Sequence, residues 1–94
     1  MSACLLKARF RVGRIVTTPD ALSQLTRDDI LMGIGRHQAG DWGDVSEDDR
    51  QQNELALKQG SRLLSAYRSE AGVKFWIITE AGRLSTTVLL PADY

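Results

Sequence analysis

Residues 37–44, His-Gln-Ala-Gly-Asp-Trp-Gly-Asp, place the chain's single histidine, two carboxylates and one of its two tryptophans within eight positions. Two kinds of chemistry could use such a set. His37 with Asp41 and Asp44, and Asp48 one helical turn further on, offers the mixed nitrogen and oxygen donors that suit a divalent ion. The spacing argues against that use. No pair follows the HxxxH or HExxH pattern that a helix holds on one face, and aspartates beside a helix start usually cap it. No metal and no cofactor are expected. Acid–base chemistry would need His37 as base, Asp41 or Asp44 to orient it, and Ser65, Thr86 or Thr87 to supply a hydroxyl. Nothing in the linear order makes these residues converge. There is no GxSxG elbow, phosphate loop or dinucleotide fingerprint, and Gly33, Gly35 and Gly40 match no phosphate-cradling pattern. The enzyme question stays open, with a non-catalytic role favoured.

Composition narrows the setting. The chain has 94 residues, 43% hydrophobic and 26% charged, the profile of one ordinary globular domain. Such a length buries about 60–65% of the surface exposed by the unfolded chain. Twelve basic residues balance twelve acidic ones, which argues against a dedicated nucleic-acid binder. The charges are segregated along the chain, with Lys7, Arg9, Arg11 and Arg14 near the start and Asp41, Asp44, Glu47, Asp48, Asp49 and Glu54 in the middle. That layout points to complementarity within the chain or between copies. The one cysteine, Cys4, allows no internal disulfide and fits a reducing cytoplasm. The apolar run Cys4-Leu5-Leu6 is too short for a signal peptide or a membrane span. A cytoplasmic protein without a membrane partner is expected, with a disordered stretch at 1–7 and one domain over 8–94.

The elements that would position these residues follow in order. Residues 8–17 alternate Phe10 and Val12 with Arg9 and Arg11, as a half-buried strand does. Thr18 caps a short helix with Pro19 at its first position. Thr26-Arg-Asp-Asp29 starts a second helix with a capping box, Ile30, Ile34 and His37 share its inner stripe, and Gly40 ends it. His37 thus turns towards the core, where a backbone group or Asn53 is its expected hydrogen-bond partner. Gly33 and Gly35 cost this helix about 1 kcal/mol each against alanine, so it is either weak or closely packed. Ser46 caps a third helix that ends at Gly60. Its outer face carries the Arg50, Glu54, Lys58 ladder, and its inner face carries Asn53, either a structural clasp or a site residue.

Residues 62–68, 73–80 and 83–90 read as three strands. A Ser69–Gly72 loop joins the first two and a tight Ala81-Gly82 turn the last two, pairing Glu80 with Arg83, Ile78 with Ser85 and Trp76 with Thr87. The expected core face holds Leu64, Ala66, Val73, Phe75, Ile77, Leu84, Thr86, Val88 and Leu90. The opposite face then holds Leu63, Ser65, Tyr67, Lys74, Trp76, Ile78, Ser85, Thr87 and Leu89, too apolar for free solvent. Short helices cover one side of such a sheet, so the rest marks an interface unless a terminal segment or the Trp42 loop folds over it. The fold expected is α+β, β-α-α-α-β-β-β, a mostly antiparallel sheet with helices on one face. Self-association through Leu63, Tyr67, Trp76, Ile78 and Leu89 is expected, with His37, Asp41, Trp42, Asp44 and Asn53 as a loop for a small ligand or protein partner. Tyr67, Trp76 and Lys74 also suit base stacking, but the neutral net charge favours a protein interface, and nucleic acid is not an expected partner.

The combination His37-Gln38-x-Gly40-Asp41-Trp42-Gly43-Asp44, Asn53-x-x-Ala56-Leu57, Leu64-Ser65-Ala66-Tyr67, Trp76-Ile77-Ile78-Thr79-Glu80 and Thr86-Thr87-x-Leu89-Leu90-Pro91-x-x-Tyr94 resembles a family of small uncharacterised bacterial proteins. Its members occur on plasmids, integron gene cassettes and other mobile elements. The resemblance runs from Arg9 to Tyr94 and implies an accessory protein of a mobile element, with no established activity to carry over. The family pattern has an aspartate where Gly82 stands and a serine where Leu84 stands. In layout alone the chain is also similar to RelE/ParE-type toxins, which would imply action on RNA or a protein target through Arg62, Arg68, Lys74 or Arg83.

Overall fold

The computed structural model describes residues 8–94; the stretch expected to be disordered, 1–7, and with it Cys4, lies outside the described residues. Local capping starts each helix. Thr18 accepts the Ala21 amide at 3.2 Å to begin α1 (Pro19–Gln24). Thr26 and Asp29 form a reciprocal capping box at the head of α2 (Arg27–Gln38), each satisfying a backbone amide of the other. Ser46 accepts the Asp49 amide for α3 (Glu47–Gln59), which ends at Gly60 with φ of 76°. Before them lies β1 (Arg14–Thr17), and after them come β2 (Leu63–Arg68), β3 (Lys74–Thr79) and β4 (Ser85–Leu89). The sheet has four strands in the order β1-β4-β3-β2; β1 runs parallel to β4 and the other pairs are antiparallel. The fold is therefore α+β with the expected order of elements.

Three details of the sheet depart from expectation. The first strand covers only Arg14–Thr17, because Gly13 turns to φ of 64° against the Leu84 carbonyl and breaks the run. Phe10 is freed from the sheet and packs against His37 and Trp42 instead. The last hairpin is shifted by two residues from the tight-turn register, so that Trp76 faces Leu89, Ile78 faces Thr87 and Thr79 faces Thr86. The connection is a one-turn 3-10 helix over Ala81–Arg83 in which Gly82 and Arg83 have φ of 85° and 62°. A shift of two leaves the faces of β3 and β4 unchanged.

The third departure exchanges the faces of β2. Tyr67 faces Phe75, Ser65 faces Ile77 and Leu63 faces Thr79, so these three residues join the core face and Leu64 and Ala66 leave it. The Ser69–Gly72 loop, closed by the Ser69 amide on the Val73 carbonyl at 2.8 Å, sets this register. Of the residues expected at an interface, Leu63 and Tyr67 are thus core residues, exposed by 0% and 3%. Trp76, Ile78 and Leu89 do lie on the second face. The turn at Pro91–Asp93 brings the Tyr94 ring edge-on to Trp76, with centroids 5.7 Å apart, and Asp49, Gln52 and Asn53 of α3 border the same face beside Leu64 and Ile78. Ile78 and Leu89 are buried and Trp76 is half-buried.

On the core face, α1 contributes Ala21 and α2 contributes Ile34 to a cluster with Tyr67, Phe75, Ile77 and Val88. A second cluster joins Trp42, Ala56 of α3 and Leu63, with Phe10 packed against it. The two glycines of α2 have different reasons. A Cβ on Gly33 would lie 2.9 Å from the Phe75 ring and 3.0 Å from Ile77 Cδ1, so this residue lets the helix rest on the sheet, whereas Gly35 faces open space. Gly35→Ala should raise the melting temperature by the helix propensity it restores, roughly 0.5–1 kcal/mol. Gly33→Ala should lower it, because overpacking by about 1–3 kcal/mol outweighs the same gain. Thermal melts of the two variants should move in opposite directions.

Candidate functional site

His37 sits at the centre of a chain of buried polar groups, and their hydrogens can be assigned from one end. The Thr86 hydroxyl lies 2.7 Å from the Val12 carbonyl and must donate to it, since a carbonyl only accepts. Thr86 then accepts from Thr79 at 2.6 Å, and Thr79 in turn accepts from His37 Nε2 at 2.8 Å. The proton of the neutral imidazole is therefore on Nε2. Nδ1 is left as the acceptor for the Ser65 hydroxyl at 2.5 Å. Ser65, Thr79, Thr86 and His37 are all 0% exposed. The partners of His37 are thus Ser65 and Thr79, in place of the expected backbone group or Asn53.

A serine donating to an imidazole is the arrangement of an activated nucleophile, but here every donor and acceptor is engaged inside the core. Burial, helped by the nearby positive charge of Arg83, lowers the His37 pKa from 6.5 to about 4. Arg83 is itself drawn inward: its guanidinium donates to the Ala56 carbonyl at 2.9 Å and to the Ser61 carbonyl at the end of α3, and lies 5.7 Å from the Phe10 ring centroid. Desolvation pushes its pKa down.

The loop after His37 is fixed by different partners. Arg36 clasps Asp41 through two hydrogen bonds, at 2.7 and 3.2 Å, and its guanidinium lies 4.6 Å from the Tyr67 ring centroid. That ion pair holds the Asp41 carboxyl below its usual range. The Tyr67 hydroxyl donates to the Asp41 carbonyl at 2.5 Å. Trp42 is buried, stacked with Phe10 and edge-on to His37, and its indole N–H donates to Glu54 at 3.0 Å. Glu54 also takes both arms of Arg9, at 3.1 and 2.9 Å, which lowers its pKa. The structure brings His37 and Trp42 together but leaves the carboxylates of Asp41 and Asp44 on the surface. No group of three or more His, Cys, Asp or Glu side chains is placed to hold a metal among the described residues.

What the loop does do is plug the outer edge of β2. The Ala66 amide donates to the Trp42 carbonyl at 3.1 Å and the Asp44 amide donates to the Ala66 carbonyl at 2.7 Å, a short parallel bridge at Gly43. Two residues along the strand, the Asn53 side chain donates to the Leu64 carbonyl at 2.7 Å and accepts the Leu64 amide at 3.1 Å. Asn53 is the clasp, standing where another strand would stand. Sequence reasoning did not find Glu54, Thr79 or Arg83 as members of these networks. Directly opposed threonines at 79 and 86 were the available signal, and the two-residue register error hid it.

Replacing His37 by alanine should cost about 3 kcal/mol or more, since it opens a cavity and leaves hydroxyls with no partner. The depressed pKa also sets a pH dependence. The unfolded chain binds the proton below about 6.5 and the folded chain only below about 4, so the His37 contribution is fully present above pH 6.5 and is lost progressively between about 6.5 and 4. Urea midpoints of wild type and His37→Gln should differ in slope over that interval, and parallel slopes would refute a neutral buried imidazole. Compared with protein-family profiles, characterised proteins and solved structures, the chain matched none.

Proposed function

We propose that the protein is a non-catalytic, self-associating binding module whose working surface is its sheet. The observation that carries this reading is the unequal treatment of the two sheet edges. The β2 edge is filled by the Asn53 amide and the 42–44 backbone, whereas β1 at the other edge has no strand on its outer side among the described residues, with Ile15 and Val16 exposed by 46% and 42%. The Arg14 and Thr18 amides donate inward to the Leu84 and Val88 carbonyls, both at 3.0 Å. By the alternation of a strand, Ile15 and Thr17 present their N–H and C=O groups outward. An open edge of this kind is a template for another strand.

A second copy fits it with closed two-fold symmetry. Antiparallel pairing centred on Ile15 lets each Ile15 exchange both hydrogen bonds with its counterpart, sets Thr17 against Gly13, and places Val16 beside Arg14 so that no like charges face each other. The product is a continuous eight-stranded sheet in which the core faces of both copies lie on the same side. This reading moves self-association from the Trp76 face to the β1 edge. The enclosed Ser65–His37 pair favours a binding role over a hydrolytic one. No helix among the described residues is long and apolar enough to cross a membrane, and the charge clasps Arg9–Glu54 and Arg36–Asp41 form within one copy. A role as a mobile-element accessory protein is compatible with a small module of this kind.

Sedimentation velocity should give a concentration-dependent species of twice the 10.4 kDa chain mass. Ile15→Lys should return it to monomer without lowering the melting temperature measured at concentrations where the wild type is itself monomeric, while Trp76→Glu should leave the pairing in place. A wild-type chain that stays monomeric up to millimolar concentration overturns the reading.

A further inference from the structure

At the far end of the second face, the β2–β3 hairpin holds Arg68 directly opposite Lys74, two positions beyond the facing pair Ala66 and Trp76. Outward hydrogen bonding at Leu64 and Ala66 makes the Arg68–Lys74 position a non-hydrogen-bonded pair, in which side chains come closest. Like charges placed so are repulsive. Neither side chain takes part in an ion pair or side-chain hydrogen bond among the described residues. Together with Asp44, Ala66, Tyr67 and Trp76 they line a cavity of about 390 Å³, within the size range of small-ligand sites.

The geometry points to a binding site for a nucleotide: a phosphate monoester held between Arg68 and Lys74, with its flat ring on the indole of Trp76. Each part of the ligand answers a feature of the cavity. Two neighbouring cations, neither in an ion pair among the described residues, favour an anion, and a phosphate bridges an arginine fork and a lysine point charge. Ala66 is too small to cover the Trp76 ring from the neighbouring strand, so the indole is half-buried and offers a stacking surface. Tyr94 meets the indole edge-on at 68° and fixes its orientation. Asp44, anchored by its amide on the Ala66 carbonyl at 2.7 Å, stands on the rim as an acceptor for an amino or imino group of the base.

A mononucleotide is favoured over an extended nucleic-acid strand because further along the face the cation Arg62 is answered by Glu80 at 3.8 Å and the lining includes Asp49. The site deepens the reading of the sheet as a working surface. It lies wholly within one copy, at the side of the sheet away from β1, so it stands or falls separately from self-association.

Calorimetric titration at low salt with AMP and UMP, adenosine and uridine, and inorganic phosphate tests the site. The nucleotides should bind at least tenfold more tightly than the nucleosides or phosphate. Arg68→Gln combined with Lys74→Gln should weaken nucleotide binding tenfold or more while melting at or above the wild-type temperature, since it removes a repulsion. Trp76→Leu should weaken binding similarly, and Trp76→Phe should keep most of it. Ile15→Lys should bind as wild type does, which separates this site from the β1 edge. The inference is overturned if nucleotides give no binding at millimolar concentration, if phosphate alone binds as well, if the double variant binds equally, or if a ten-nucleotide single strand binds more than tenfold tighter than AMP and UMP.

Discussion

The rest of the structure depends on the relay of hydrogen bonds that runs from the Val12 carbonyl through Thr86 and Thr79 to His37 and Ser65. It joins the segment before β1, the strands β4, β3 and β2, and helix α2, so one line of protons fixes five pieces of chain against each other. Buried hydroxyls and an imidazole are costly when partnerless and specific when satisfied. Because a carbonyl ends the line, every member has one permitted direction. No buried side-chain nitrogen or oxygen among the described residues lacks a partner.

Around this relay the charged residues act in short, local clasps at the surface. Arg36–Asp41 and Arg9–Glu54 fasten the 37–44 loop from either side, and Arg83 closes the carbonyl end of α3. Exposed pairs of this kind contribute about 0–1 kcal/mol each. Their value lies in position, since the loop they hold carries the backbone that seals β2. Chemistry that looked concentrated in one octapeptide is divided: His37 and Trp42 belong to the core, Asp41 to a surface clasp, and Asp44 to the strand edge.

Much of the fold was legible because it rests on local rules. Thr18, Thr26, Ser46 and Gly60 announce helix ends within one turn of sequence, and all lie where capping preference places them. The order of elements and the inward turn of His37 followed from periodicity. What failed was non-local. The face of β2 depends on how four loop residues close, and period-two alternation serves either face equally well when both are apolar. Gly82 and Arg83 adopt positive φ in a longer connection than Ala81-Gly82 alone implies. The same geometry explains glycine at position 82, where any side chain would be strained, and leaves Leu84 80% exposed. Asn53 was correctly placed as a choice between clasp and site, and only the distance to Leu64 decides it.

The pairing of β1 with β4 joins residues about seventy positions apart, Arg14 with Ser85, whereas β2, β3 and β4 follow one another as neighbours. Loop-closure entropy therefore makes the three-strand meander early and the arrival of β1 late in folding. Until β1 arrives, β4 is itself an unfilled edge, and the β1 of a neighbouring chain fits it as well as the native one does. Chain concentration during synthesis thus sets how often β1 docks at home and how often it is exchanged between molecules, a kinetic partition built into the order of the strands.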